Sequence, residues 1–129
     1  LEDGRCTWPG VFSWKHPDPG SRLLAEQLPP LAGDGADLGC GVGLLAHAVL
    51  PSPRVTRLHL VDIDRRAVEC ARRNVDDPRA AFAWADALAS DAVPGDLDFV
   101  VCNPPFHHAG AEDRRLGQAF VGRAHALLR

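Results

Sequence analysis

Four short apolar runs in this chain each end on a side chain able to grip a ligand. Ala36-Asp37-Leu38 carries its acid at the end of the run, Arg57 to Val61 is closed by Asp62, Ala80 to Ala85 by Asp86, and Leu97 to Cys102 by Asn103. Between them lie segments of helical spacing. Ser21 to about Leu28 puts Leu23, Leu24 and Leu28 on one face, with Ser21 as the expected cap and Pro29-Pro30 as the stop. Leu44 to Leu50 ends at Pro51, and Ala67 to Asn74 carries Val68 and Ala71 in a stripe that Val75 continues. A last helix from about Arg115 is expected to bury Leu116, Phe120, Val121, Ala124, Leu127 and Leu128. Gly33-Asp34-Gly35 reads as a turn. Strands alternating with helices predict an α/β chain, a Rossmann-like, doubly wound and mainly parallel sheet with helices on both faces. Such sheets bind ligands beyond the carboxyl ends of their strands, which is where Asp37, Asp62, Asp86 and Asn103 all fall.

The chain's 129 residues suit one domain, 1–129, with 1–19 as an irregular lead-in rich in Trp, Pro and His. A formal net charge of -3 announces no global basic field, so a nucleic-acid partner would need a local patch or a further domain for its phosphates. Cys6, Cys40, Cys70 and Cys102 form no CxxC pair and read as small buried hydrophobes of a reduced, cytoplasmic protein. No apolar stretch approaches the roughly 18 residues of a membrane span, and no signal-peptide pattern opens the chain. The expectation is a soluble intracellular protein.

Asp37-Leu38-Gly39-Cys40-Gly41-Val42-Gly43 places three glycines between a strand and a helix. Glycine there permits positive φ and lets a ligand reach the backbone without a Cβ in the way. Gly41-Val42-Gly43-Leu44-Leu45-Ala46 satisfies the GxGxxA form of the dinucleotide fingerprint, with Asp62 roughly 19 residues further on. An NAD-binding oxidoreductase domain is therefore a competing reading, and a purely structural tight turn is another. The acid ahead of the glycines favours a different ligand. An anionic Asp37 is awkward for a pyrophosphate but suits an ammonium group, and S-adenosyl-L-methionine carries an amine and no phosphate. Asp62 has the position expected for accepting two ribose hydroxyls, with a helix N-cap as its structural alternative. Asp86 is placed to accept from an adenine amine, or to be a solvated loop carboxylate.

Asn103-Pro104-Pro105-Phe106 follows the fourth run. Two prolines forbid its continuation as a strand and leave one amide, one carbonyl and one ring on a rigid corner. An exocyclic amine on a purine is a poor nucleophile because its lone pair is delocalised. Hydrogen bonds from that amine to the Asn103 oxygen and the Pro104 carbonyl would favour a pyramidal nitrogen, and Phe106 would fix the plane of the base by stacking. Orientation supplies most of the help for such a methyl transfer, and no strong base is required. The alternative is a plain strand-ending turn. His107-His108 has no HxxxH or Cys-His cluster to support a metal site, so no metal is expected. Cys40 and Cys102 would need an activating base to act as nucleophiles.

Together these residues resemble the class I S-adenosylmethionine-dependent methyltransferases, and more narrowly the small-domain branch containing bacterial ribosomal RNA guanine-N2 methyltransferases. The glycine loop Asp37 to Gly43, the strand end Val61-Asp62-Ile63-Asp64 and Asn103-Pro104-Pro105-Phe106-His107 carry the resemblance. So does the lead-in Pro9-Gly10-Val11-Phe12-Ser13, with Asp18, Gly20-Ser21 and Leu23-Leu24 behind it. The resemblance implies that Asp37, Gly39, Gly41 and Gly43 cradle the methionine portion, that Asp62 holds the ribose with Ile63 beside it, and that Asp86 meets the adenine. It also implies that Asn103, Pro104 and Phe106 orient a guanine amine, Asn103 touching the cofactor side as well. The product would be S-adenosyl-L-homocysteine and the partner an RNA, ribosomal RNA or the small ribosomal subunit. Methylation of a protein glutamine amide or of adenine N6 is the alternative within the same chemistry. The family continues past the last helix with further strands, whereas this chain stops at Arg129, so the sheet is expected to be cut short on its C-terminal side.

Overall fold

The computed structural model describes residues 4–12, 16, 18–89, 91–104 and 111–129. In chain order they form α1 (Pro19–Gln27), β1 (Gly33–Leu38), α2 (Ala46–Val49), β2 (Val55–Asp62), α3 (Arg65–Asn74), β3 (Ala80–Trp84), β4 (Phe99–Cys102) and α4 (Ala111–Leu127). The strands lie in the order β3-β2-β1-β4, and every pairing is parallel. The order turns back between β1 and β4, which makes that crevice the switch point where such sheets place ligands.

Alternation along the strands divides the core in two. Leu58 and Leu60 of β2, with Phe99 and Val101 of β4, meet Ala46 and Val49 of α2 and Ala71 of α3, and Leu24 and Ala25 of α1 pack onto the same cluster. Ala36, Leu38 and Val61 face the other way, toward Val93, Leu97 and Leu127, with Phe120 and Ala124 of α4 alongside. The doubly wound α/β architecture is therefore as predicted, with helices on both faces.

Several local expectations change. The cap of α1 is Asp18, not Ser21: its carboxylate accepts from the Ser21 backbone N–H at 2.9 Å, and Pro19 supplies the preset φ of the first helical turn. The expected turn Gly33-Asp34-Gly35 is instead the start of β1. Glycine serves neighbours there, because a Cβ on Gly35 would lie 2.2 Å from the Phe99 ring. Gly33 takes a φ of +88° and leaves room for the Asp98 carboxylate, which accepts from the Asp34 N–H at 2.8 Å. Helix α4 begins four residues earlier than expected, and Val121 and Leu128 are not buried (67% and 39% exposed). Leu128 uses its backbone instead, forming a parallel bridge to Leu97 next to β4.

The Gly35–Phe99 contact can be tested by overpacking it. Gly35→Ala should cost roughly 1–3 kcal/mol and lower the urea midpoint. Adding Phe99→Leu should recover part of that loss. If Gly35→Ala alone leaves the midpoint where it was, the ring does not occupy the glycine's space.

Candidate ligand site at the strand carboxyl ends

The site is built where β1 ends. The Gly39 and Cys40 N–H groups both donate to the Val61 carbonyl, at 2.9 and 3.0 Å. The chain then turns through Gly39, Gly41 and Gly43, whose φ values are +73°, +54° and +94°. The two later glycines answer different needs. A Cβ on Gly41 would meet nothing within 4 Å, so its bare backbone faces open space. A Cβ on Gly43 would lie 2.8 Å from a Val75 methyl, so that glycine lets the loop pack against the end of α3.

Asp62, the last residue of β2, holds this loop. Its Oδ2 accepts from the Gly41 N–H at 2.9 Å and its Oδ1 from the Asp64 N–H at 2.8 Å. The expected alternative for Asp62, an N-cap, belongs to Asp64, whose carboxylate accepts from the Arg66 N–H at 3.0 Å. Asp62 is left to orient the loop and line the space beyond it.

That space is a cavity of about 390 Å³, within the size range of small-molecule sites. Gly39, Gly41, Asp62, Ile63, Asp86 and Asn103 all line it, so six of the residues singled out in the sequence come together. Asp86 accepts from the Leu88 N–H at 2.9 Å through Oδ1, which fixes the turn after β3. Gly43 faces α3 and does not line the cavity, and Pro104 follows Asn103 without lining it. Phe106 lies outside the described residues, as do Ser13, Pro105, His107 and His108. Sequence reasoning passed over several apolar wall residues. Leu116 and Phe120 of α4 read as ordinary core, and Ala87 and Leu88 carry no motif. Val11 and Phe12 line it too, and their only signal was the lead-in motif.

The lead-in reaches the cavity because α3 holds it at both ends. The Asn74 side chain accepts from the Cys6 N–H at 2.7 Å, donates to the Cys6 carbonyl at 2.9 Å and donates to the Val42 carbonyl at 2.8 Å. One amide thus ties the lead-in to the glycine loop. At the other end Arg66, paired with Asp64, donates to the Pro9 carbonyl at 3.2 Å.

Behind the glycine loop, Asp37 is 1% exposed, and neither carboxylate oxygen has a hydrogen-bond partner among the described residues. Burial pushes its carboxyl up to about 8, and the nearby Asp62 charge adds to the rise. Burial also raises Asp62, against the downward pull of the Asp64 and Gly41 N–H groups. A buried carboxyl raised in this way ionises on pairing with a ligand's cationic group, and in that ionised form it would repel a phosphate. Cys40 and Cys102 stay protonated: burial raises both, with Asp37 reinforcing it, and Cys102 reaches about 12. Neither thiol has the lowered pKa that activates a cysteine nucleophile. Among the described residues, no cluster of His, Cys, Asp and Glu could hold a metal ion.

Comparison with known proteins agrees with this geometry. Residues 5–129 match the family model of the methyltransferase small domain. The chain is 36% identical over 118 residues to a ribosomal RNA small subunit methyltransferase C of Shewanella sp. (strain MR-4), covering 90% of this chain and 34% of that protein. It is 40% identical over 107 residues to a ribosomal RNA large subunit methyltransferase G of Shewanella amazonensis, covering 78% of this chain and 28% of the relative. Among solved structures it is similar to a T. thermophilus 16S rRNA N2 methyltransferase in complex with AdoMet and guanosine. That match has a TM-score of 0.69 and 31% identity, and covers 95% of this chain and 35% of that one. The chain spans about a third of the length of these relatives.

The Asp37 environment has a consequence for stability. Its folded value, about 8, lies above the ordinary 3.8, so the folded chain holds a proton that the unfolded chain releases between those two values. The ligand-free protein should therefore lose stability as pH rises from about 4 to about 8. Asp37→Asn should remove that part of the pH dependence, raising the Tm by several degrees at the upper end and by little at the lower end. Thermal melts of both proteins across this range check it, and parallel curves would refute it.

Proposed function

The chain belongs to the methyltransferase small domain family, and from that premise we propose that residues 1–129 are the catalytic domain of an S-adenosylmethionine-dependent methyltransferase acting on guanine N2 in ribosomal RNA. The observation that carries this reading is Asp37, a buried carboxyl without a described partner, which sits behind the glycine loop and does not itself line the cavity that Asp62 and Asn103 line. That set of acceptors fits an amino-acid ammonium and a ribose. It does not fit the pyrophosphate of a dinucleotide, so the oxidoreductase reading loses its ground. The similar protein solved with AdoMet and guanosine supports the choice of cofactor and base.

When bound, S-adenosylmethionine supplies an electrophilic sulfonium methyl. Asp37 would pair with its ammonium, and the bare backbone of Gly39 and Gly41 would let the methionine portion lie close to the loop. Asp62 keeps lone pairs for ribose hydroxyls beyond the two bonds it accepts from Gly41 and Asp64. Ile63, 70% exposed at the cavity wall, would pack on the adenine, and Asp86 would accept from the adenine amine. Asn103 and the Pro104 carbonyl would each accept one N–H of the guanine amine, localising its lone pair, and Phe106 would stack on the base. The amine's proton leaves to water once its nitrogen carries the methyl. Apolar walls from Val11, Leu116 and Phe120 limit water's access to the cavity.

With a net charge of -3, the chain offers RNA little long-range attraction. Phosphate contacts would need a local basic patch or a further domain. A ribosomal RNA substrate would put this work in the cytoplasm. No helix of the described residues is long and apolar enough to cross a membrane.

Calorimetry with S-adenosylhomocysteine and with NADH should show binding of the first only. Labelled S-adenosylmethionine should then pass its methyl to small ribosomal subunits from a strain lacking this gene, and not to large subunits or to a protein extract. Asn103→Ala should lower kcat by roughly a hundredfold or more while leaving S-adenosylhomocysteine affinity within about twofold. NADH binding, or label appearing only in protein, would overturn the assignment.

A further inference from the structure

The Asn103 side chain is held from behind by the start of α1. Its Nδ2 donates to Asp18 Oδ2 at 2.6 Å and to Ser21 Oγ at 2.9 Å, which uses both amide hydrogens. Asp18 Oδ2 also accepts from the Ser21 N–H at 2.9 Å, so the carboxylate that caps α1 is the one that grips the amide. A carboxylate only accepts, so the NH2 end of Asn103 must face it; turning the amide over would set two oxygens against each other. The amide also lies against Gly20, where a Cβ would come within 3.2 Å of Nδ2 and 3.3 Å of Oδ1. Its remaining acceptor, Oδ1, has no donor among the described residues, and Asn103 lines the cavity.

We infer that Asp18 and Ser21 are positioning residues, which fix the amide of Asn103 so that its oxygen, and never its NH2, is offered to the substrate amine. The inference rests on the reading of Asn103 as the acceptor for that amine. An unrestrained asparagine amide can turn either end toward a ligand, and the wrong end would place a donor against the amine's N–H. A charge-assisted bond to Asp18 removes that choice before substrate arrives. It also explains why the cap and first turn of α1 carry Asp, Gly and Ser together: an acceptor for the amide, a bare surface for it to lie on, and a second acceptor.

The test separates capping from positioning. In the whole protein, Asp18→Ser keeps a good helix cap but is too short to hold the amide. Asp18→Asn keeps an oxygen acceptor for both N–H groups. With small ribosomal subunits and labelled S-adenosylmethionine, Asp18→Ser should lower kcat roughly ten- to a hundredfold with KM for the cofactor unchanged. Asp18→Asn should restore much of that loss. In an Asn103→Ala background, Asp18→Ser should add no further loss. The side-chain amide signals of Asn103 in the nuclear magnetic resonance spectrum supply a readout independent of turnover. They should be slow to exchange in the wild type and in Asp18→Asn, and move to free-amide behaviour in Asp18→Ser. Full kcat in Asp18→Ser where Asn103→Ala has lost it, multiplying effects of the two changes, or unchanged amide signals would each overturn the inference. If Asn103→Ala itself transfers methyl normally, the reading of Asn103 as acceptor fails instead, and the amide signals still decide whether Asp18 orients it.

Discussion

The carboxylate of Asp62 joins the parts of this site that differ most in conformation. One oxygen accepts from Gly41 in a loop of positive φ, and the other from Asp64, which caps α3. The glycine loop and the start of α3 are therefore fixed relative to the end of β2 by one planar group. Helix α3 in turn holds the lead-in through Asn74 and Arg66, and the lead-in supplies a wall of the cavity. Removing this carboxylate would loosen the loop, the helix start and the lead-in together. An acid at this position thus has a structural task in the ligand-free chain as well as the proposed one toward a ribose.

The sheet follows from patterning that a reader of the sequence can see. Short apolar runs broken by Gly, Pro and Asp fix the strands, and the parallel order brings their carboxyl ends to one level. What stayed hidden depends on neighbours distant in the chain. Gly35 reads as a turn residue because glycine prefers turns, yet it lies in a strand because Phe99 occupies the space above it. Ser21 reads as a cap only if the stronger local signal is passed over, an Asp18 cap followed by Pro19 in the first turn. Leu116 and Phe120 have the spacing of core residues, and nothing in a helical stripe distinguishes the stretch facing a core from the stretch facing a cavity. Conversely, Gly39, Gly41, Asp62, Asp86 and Asn103 were legible because their chemistry is unusual at strand ends, and Ile63 was legible through the family resemblance.

Asp37 is the clearest departure from what folding alone would select. An acid in a buried strand, without a partner among the described residues, opposes the stability of the ligand-free chain at neutral pH. Leu60 and Val101 flank it in the sheet register, so the cost is borne by a well-packed centre. Such local conflict between folding and sequence marks places selected for binding.

The grip of Asp18 and Ser21 on Asn103 spans more than 80 residues of sequence, and that of Asn74 on Cys6 spans 68. Contacts of such separation close the largest loops and carry the largest ordering entropy, so they are expected late in folding. The two-stranded centre of β1 and β2 can pair early, through much shorter loops. A cavity that can take its ligand therefore reports completion of the fold from the lead-in through α4, and a chain halted partway through synthesis would have its glycine loop but not yet its site.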